Sequence, residues 1–260
     1  MSAFLRRALA HPLTIGPDLH LDNPETTDLH RIIIQSKPFL KSIYEEWYRL
    51  LAQWLPGGCA PAVELGSGAG FAEEFLPGLI TSEVCFFPSV QIVFDGQAMP
   101  FRDASLRAVT MVNVLHHVPD VRRLFEEASR CLKPGGCVLA IEPWVSSWSR
   151  LIYANLHHEP FDASSEEWAF PKGGRLSAAN GALPWIVLER DRLRWETEFP
   201  DLQVKLIQPI MPFRYLISGG IATRNLMPSF FFPFWRAVER LLHPFMSRLA
   251  MFALIVIERR

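Results

Sequence analysis

Cysteine is scarce in this chain, and its spacing is not that of a metal site. Only four cysteines occur among 260 residues, and no two of them form a C-x-x-C pair. Structural zinc sites use closely spaced cysteines and histidines, so we expect no metal. Free cysteines also fit a reducing compartment, and we expect a cytoplasmic protein. The cysteines are Cys59, Cys85, Cys131 and Cys137.

An excess of charge of one sign is also missing. The formal net charge is −1, with 26 Lys and Arg against 27 Asp and Glu, and no basic block occurs. Binding to a nucleic-acid backbone requires a concentrated positive surface. We therefore expect no nucleic-acid partner.

Long apolar runs are absent. A membrane-spanning helix needs about 20 mostly apolar residues, whereas the longest candidate is the short run 249–257. We predict that this run is a buried C-terminal strand. Near the N-terminus, Arg6 and Arg7 precede a short apolar run that His11 and Pro12 interrupt, so we expect no signal peptide.

A glycine-rich turn follows the clearest candidate for a buried strand. Residues 62–65 are apolar on both sides of Glu64. Three glycines follow at alternate positions, Gly66, Gly68 and Gly70. Such a stretch predicts a strand, a tight turn and a helix, with a ligand lying against the main chain. A dinucleotide fingerprint would place its third glycine where this chain has Phe71, so a nucleoside without a pyrophosphate fits better.

Polar side chains end each of the next three predicted strands. The strands are predicted at residues 79–83, 91–94 and 106–113, and the polar residues at their ends are Glu83, Asp95 and Asn113. In open parallel sheets, ligands bind at the carboxyl ends of the strands. Glu83 also lies near the offset of about 20 residues at which a doubly wound fold places an acid on the ribose hydroxyls.

In this order, these features resemble the class I S-adenosylmethionine-dependent methyltransferases, particularly the methyltransferase type 11 group that includes the ubiquinone and menaquinone biosynthesis C-methyltransferases. The resemblance covers residues 62–142, and Lys133-Pro-Gly-Gly136 before a fifth strand is a further mark of the family. It implies a Rossmann-like α/β fold with a seven-stranded, mostly parallel sheet whose last strand is antiparallel. It also implies S-adenosyl-L-methionine as the cofactor.

The resemblance implies which residues hold that cofactor. The glycine loop binds the methionine part, the acid after the second strand binds the ribose, and the segment that begins at Asp95 binds the adenine. The end of the fourth strand closes the pocket beside the sulfonium. The implied residues are Glu64, Gly66, Ser67, Gly68, Gly70, Glu83, Asp95, Gly96, Gln97, Asn113 and Val114.

We predict one domain over residues 1–260. Its predicted parts are an N-terminal segment with a cap helix in 1–58, the cofactor-binding core in 59–142, a substrate-cap insertion in 143–200, and C-terminal strands with an apolar helical insertion in 201–260. Residues 1–27 are expected to be irregular.

Two apolar regions bear on the acceptor. The cap insertion carries five tryptophans, Trp144, Trp148, Trp168, Trp185 and Trp195. They either wall an apolar or aromatic acceptor site or form a small core of the cap. Further on, apolar residues at helical spacing over 235–249 follow a run of phenylalanines at 230–232. A helix there packs on its own domain or rests on a membrane surface, and the oligomeric state stays open.

The expected reaction is an in-line transfer of the cofactor's methyl group to a small-molecule or lipid-like acceptor. Oxygen is the favoured acceptor atom, because the chain has no N-P-P-Y segment and no paired catalytic cysteines. Methylation of carbon on a quinone-like ring, transfer of an aminopropyl group, and a binding protein without catalysis are the alternatives. The candidate bases are His157, His158 and His116, with His117 and Glu159 next, and a carboxylate acceptor would need none.

Overall fold

The computed structural model describes residues 24–156, 159–169 and 178–260. These residues form a seven-stranded sheet flanked by helices. The strands are β1 Ala62–Leu65, β2 Leu79–Glu83, β3 Ile92–Val93, β4 Leu106–Val112, β5 Leu132–Pro143, β6 Leu202–Ile210 and β7 Phe252–Arg259. The helices are α1 Pro24–Ser36, α2 Pro38–Trp54, α3 Val121–Cys131, α4 Ser147–Leu156, α5 Leu183–Trp185, α6 Arg192–Glu198, α7 Arg214–Ser218, α8 Phe232–Leu241 and α9 Met246–Leu249.

The strand order is β3-β2-β1-β4-β5-β7-β6, and β7 runs antiparallel to both of its neighbours. The remaining pairings within β1 to β5 are parallel, so β7 alone reverses direction in the described sheet. This arrangement confirms the predicted fold class. From β1, the chain order runs outward through β2 on one side and through β4 on the other. The strand order therefore reverses at β1, and α/β sheets bind ligands in the cleft at such a switch point.

Each face of the sheet is covered by an amphipathic helix. On one face, α3 buries Leu124 and Phe125 against the strands, and the side chain of Asp120 caps the helix by accepting a hydrogen bond from the backbone nitrogen of Arg122. On the other face, α2 buries Leu40 and Trp47. Because both faces are covered, the central strands β1 and β4 are buried along most of their length and mostly apolar, as their sequences predict.

Two predictions about the N-terminal half are wrong. No full helix follows the glycine loop, because the short connection to β2 holds only a 3₁₀ turn, Ala72–Glu74, before Pro77 and Gly78. Residues 24–27, expected to be irregular, form the first turn of α1. Thr26 and Thr27 of this turn are buried, so the turn packs into the fold.

The predicted C-terminal helix over 235–249 is divided in the structure. Helix α8 ends at Leu241, a 3₁₀ turn follows at His243–Phe245, and α9 completes the segment. Pro244 accounts for the break, because proline supplies no amide hydrogen to a helix interior. None of the helices in the described ranges is both long enough and apolar enough to cross a membrane.

Candidate functional site

A cavity of about 1060 Å³ opens at the carboxyl ends of β1, β2 and β4. It brings together most of the residues predicted to bind the cofactor. Those that line it are Glu64, Gly66, Gly70, Glu83, Asp95, Gly96, Gln97, Asn113 and Val114. Ser67 and Gly68 belong to the same loop but are not part of the cavity wall.

The glycine loop is packed so closely that side chains would not fit in it. Gly66 has a positive φ of 71°, and a Cβ there would lie 2.4 Å from a methyl carbon of Val114. A Cβ on Gly68 would lie 2.4 Å from a methyl carbon of Thr27 and 2.9 Å from a carboxylate oxygen of Glu83. These contacts explain why glycine occupies both positions.

Glu64 is buried at the end of β1 and presents an unsatisfied oxygen. Within the described residues, its Oε2 atom has no hydrogen-bond partner. Burial raises the pKa of this carboxyl group to about 8, although a hydrogen bond from Ser67 acts in the opposite direction. Such a group favours a cation beside it, because a nearby positive charge stabilises the ionised form.

The other predicted cofactor residues differ in how tightly they are held. Glu83 is buried, which raises its pKa, and its carboxylate accepts hydrogen bonds from the backbone nitrogens of Gly68 at 3.2 Å and Val84 at 3.0 Å. Asp95 is exposed and accepts a hydrogen bond from the backbone nitrogen of Gln97 at 2.9 Å. Asn113 has a positive φ of 57°, an uncommon conformation that ends β4 at the cavity wall.

His116 lies between two carboxylates at the cavity wall. Its Nδ1 atom is 2.7 Å from Glu142 and its Nε2 atom is 3.7 Å from Glu159. Burial lowers the pKa of His116, but hydrogen bonds and charge from both glutamates outweigh burial and raise the pKa to about 9. The ring is therefore an imidazolium at neutral pH. Glu142 also accepts hydrogen bonds from the backbone nitrogens of Val114 and Leu115, both at 2.8 Å, and so holds this turn.

His117, beside it, is neutral. Burial and the neighbouring charge of His116 lower the pKa of His117 to about 4. Its Nδ1 atom lies 3.1 Å from the carbonyl oxygen of Ala178, which can only accept a hydrogen bond, so Nδ1 carries the proton. The unprotonated Nε2 atom lies 4.0 Å from Glu159. Both rings line the cavity, and the unprotonated Nε2 makes His117 the proton acceptor of the two.

Two base candidates fall outside the described residues, and three other side chains lie close enough together to be compared with a metal site. His157 and His158 lie outside the described residues. His116, His117 and Glu159 bring one potential ligand atom each to within 4.8 Å of one another, a spacing that could admit a metal ion. The ion pairs of His116 with Glu142 and Glu159 account for this arrangement without a metal ion.

Tyrosine and phenylalanine, not the cap tryptophans, supply the aromatic wall of the cavity. The five cap tryptophans are absent from the wall, and Trp168 and Trp195 are fully buried in the core, so the structure favours the cap-core interpretation. The chain has four tyrosines, and all of them line the cavity: Tyr44, Tyr48, Tyr153 and Tyr215. They come from α2, α4 and α7, which are far apart in sequence. The sequence gives no periodic signal for this convergence.

Part of this chain is similar in sequence to known methyltransferases. Residues 63–140 match the family model described as "Methyltransferase domain". The ubiquinone/menaquinone biosynthesis C-methyltransferase UbiE of Bartonella bacilliformis is 32% identical over 102 residues, which cover 38% of this chain and 35% of that protein. An uncharacterized methyltransferase of Mycolicibacterium vanbaalenii is 30% identical over 102 residues, covering 39% of this chain and 40% of that protein. This chain thus matches less than half the length of these relatives.

Solved structures extend the likeness to the whole fold. The geranyl diphosphate C-methyltransferase from Streptomyces coelicolor, solved with Mg²⁺, geranyl diphosphate and S-adenosyl-L-homocysteine, aligns with a TM-score of 0.53 at 15% identity. The alignment covers 97% of this chain and 92% of that one. The resemblance predicted from the sequence is thereby confirmed: residues 63–140 match a methyltransferase domain model, and the described residues have the Rossmann-like fold of that methyltransferase structure.

Proposed function

We propose that this protein is an S-adenosylmethionine-dependent methyltransferase that acts in the cytoplasm on an apolar small-molecule or lipid-like acceptor. The observation that carries the proposal is the composition of the cavity of about 1060 Å³. One part has the glycine loop and acids of a cofactor site, and the other part has four tyrosines beside a neutral imidazole.

The residues present fit S-adenosylmethionine. The Oε2 atom of Glu64, which has no partner among the described residues, suits a cationic group, and the main chain at Gly66 and Gly70 lines the cavity without a side chain. Glu83 and Asp95 would hold the ribose and the adenine, as the family resemblance implies. When bound, the cofactor supplies a methyl group that its sulfonium already activates.

The cavity has room for an acceptor as well. Ligand sites generally occupy about 300–1,000 Å³, and this cavity of about 1060 Å³ lies above that range. Beyond the tyrosines, apolar side chains such as Leu156, Leu216 and Leu226 line it. These groups would orient an apolar acceptor and exclude water, and orientation alone can contribute about 7–11 kcal/mol to catalysis.

His117 is the base that we assign to the proton of the acceptor. Its Nε2 atom is unprotonated, and Glu159 nearby would stabilise the imidazolium that forms after proton transfer. His116, as an imidazolium, would instead orient Glu159. His157 and His158 stay alternative bases.

Oxygen is the acceptor atom that we favour, and carbon is the second candidate. The name of the Bartonella relative, a C-methyltransferase, favours carbon. A base at His117 serves both reactions, because a carbon acceptor also loses a proton. Incubation with cofactor carrying a ¹³C-labelled methyl group and a panel of phenols, quinols and lipid alcohols tests both. The carbon chemical shift of the product distinguishes an O-methyl from a C-methyl group, and turnover of no acceptor would favour a binding protein without catalysis.

A further inference from the structure

An apolar stripe that none of the described elements covers runs along the C-terminal insertion. We call residues 226–245 the apolar segment. Its large side chains are exposed to unusual extents, 73% for Phe230, 58% for Phe234, 80% for Leu241 and 55% for Phe245. Phe234 and Leu241 lie two helical turns apart on α8, so they share one face. Exposed apolar groups in such a contiguous stripe mark an interaction surface.

This exposure does not come from a loosely attached helix. The inner face of α8 is fixed by buried Glu239, whose Oε2 accepts a hydrogen bond from Arg214 Nε at 2.5 Å. The same guanidinium forms two hydrogen bonds with Glu46 of α2, at 2.7 and 2.8 Å. The ring of Phe232 also packs edge-on against Phe39, with centroids 5.2 Å apart. The stripe therefore faces outward from a docked helix.

The charges around the stripe have one sign. Four arginines of residues 219–249 are exposed, namely Arg224, Arg236, Arg240 and Arg248. The same stretch contains a single acid, Glu239, and its carboxylate is buried against Arg214. The surface thus combines exposed phenylalanine and leucine with exposed cationic side chains and no exposed carboxylate within this described stretch.

We propose that the apolar segment binds the surface of a membrane that contains anionic lipid. Apolar side chains flanked by arginines match the boundary between acyl chains and negatively charged headgroups. A second copy of the chain fits less well, because a two-fold contact through this face would bring its arginines toward each other. Leu226 connects this surface to the site, since it is 44% exposed and also lines the cavity. Entry of a lipid-like acceptor at Leu226 is an inference that rests on the proposed function. Membrane binding is independent of that function.

Cosedimentation with lipid vesicles tests the proposal. The 260-residue protein is mixed with vesicles of phosphatidylcholine alone or with phosphatidylglycerol added. We expect it to pellet with the anionic vesicles. We also expect about 0.5 M salt to release it, because such a concentration screens surface charge. Phe234→Ser and Leu241→Ser should each weaken the partition at least about fivefold, since each removes apolar area from the interface.

Leu193 provides a matched control. It is 80% exposed, like Leu241, and it lies between Arg192 and Arg194, but these arginines pair with glutamates. Leu193→Ser should leave the partition unchanged. An equal loss in Leu193→Ser, or no pelleting of the unaltered protein with anionic vesicles, would overturn the proposal. So would a dimer in light scattering that Phe234→Ser abolishes while vesicles stay unbound. S-adenosylmethionine binding, measured on the same samples, reports separately on the proposed function.

Discussion

At the scale of single residues, Glu64 couples cofactor binding to pH. Its pKa is about 8 in the empty cavity because the carboxyl group is buried. A cationic ligand favours the ionised form, so the carboxyl must lose its proton when the cofactor binds below pH 8. We therefore predict that the affinity for S-adenosylmethionine rises between pH 6 and about 7.5. Calorimetry in two buffers of different ionisation enthalpy should detect release of close to one proton at pH 7.

The matched variant is Glu64→Gln, which keeps the shape and removes the titration. It should bind the cofactor more weakly and release no proton from this position. If Glu64→Gln and the unaltered protein release the same number of protons, Glu64 does not face the cation.

The glycine loop offers a second test at a single position. In Gly68→Val, the added side chain would meet Thr27 and Glu83 within 3 Å, so we expect no measurable cofactor binding. Asp95→Ala should have the same result through loss of the adenine contact. Gly57→Val is the control, because a Cβ at Gly57 meets nothing within 4 Å. Calorimetry and circular dichroism compare binding and folding, and unchanged affinity in both Gly68→Val and Asp95→Ala would contradict the cofactor site.

His117 is the residue on which proton transfer depends in this account. His117→Gln should lower turnover by about 10²- to 10⁴-fold, the usual contribution of a general base, and should leave cofactor affinity intact. His243→Gln, at an exposed position away from the cavity, is the control. A normal rate in His117→Gln together with a loss in the double variant His157→Gln, His158→Gln would move the base to that pair.

At the scale of elements, Arg214 connects three helices through buried ion pairs. It lies on α7 and bonds to Glu46 of α2 and Glu239 of α8. Arg214→Met leaves two carboxylates without their cation, so we expect the free energy of unfolding to fall by about 3–5 kcal/mol. Arg236→Met is the control, since Arg236 is exposed and lies 4.0 Å from Glu46, and it should change stability by less than about 1 kcal/mol. Equal destabilisation in thermal unfolding would contradict this role.

Elements were predictable from the sequence where local patterns and burial agree. The strands at the centre of the sheet are mostly apolar and buried, and α3 shows one apolar stripe after an Asp120 cap, so all of them were predicted. The missing helix after Gly70 could not be foreseen from the family, because it depends on a connection to β2 too short for more than one turn. Pro244 could have predicted the division of the C-terminal helix, because proline disfavours a helix interior. The apolar periodicity alone does not take this proline into account.

At the scale of the whole molecule, the convergence of the strand-end residues on one cavity was predictable, and the position of the tyrosines was not. Residues at strand ends converge because parallel strands end at one edge of the sheet, so Glu64, Glu83 and Asn113 follow from strand positions. The tyrosine wall depends on how α2, α4 and α7 fold over that edge. Such tertiary placement leaves no local pattern, and the sequence left a cavity wall and a cap core as equal alternatives for the tryptophans.

The most direct test of the account is calorimetric titration of the unaltered protein with S-adenosylmethionine, with S-adenosylhomocysteine as the second ligand and NAD as the negative control. A class I cofactor site with an unpartnered Glu64 and no third glycine for a pyrophosphate predicts that the first two bind and NAD does not. Binding of NAD, or of none of the three, would contradict the assignment of this cavity to a methyl donor.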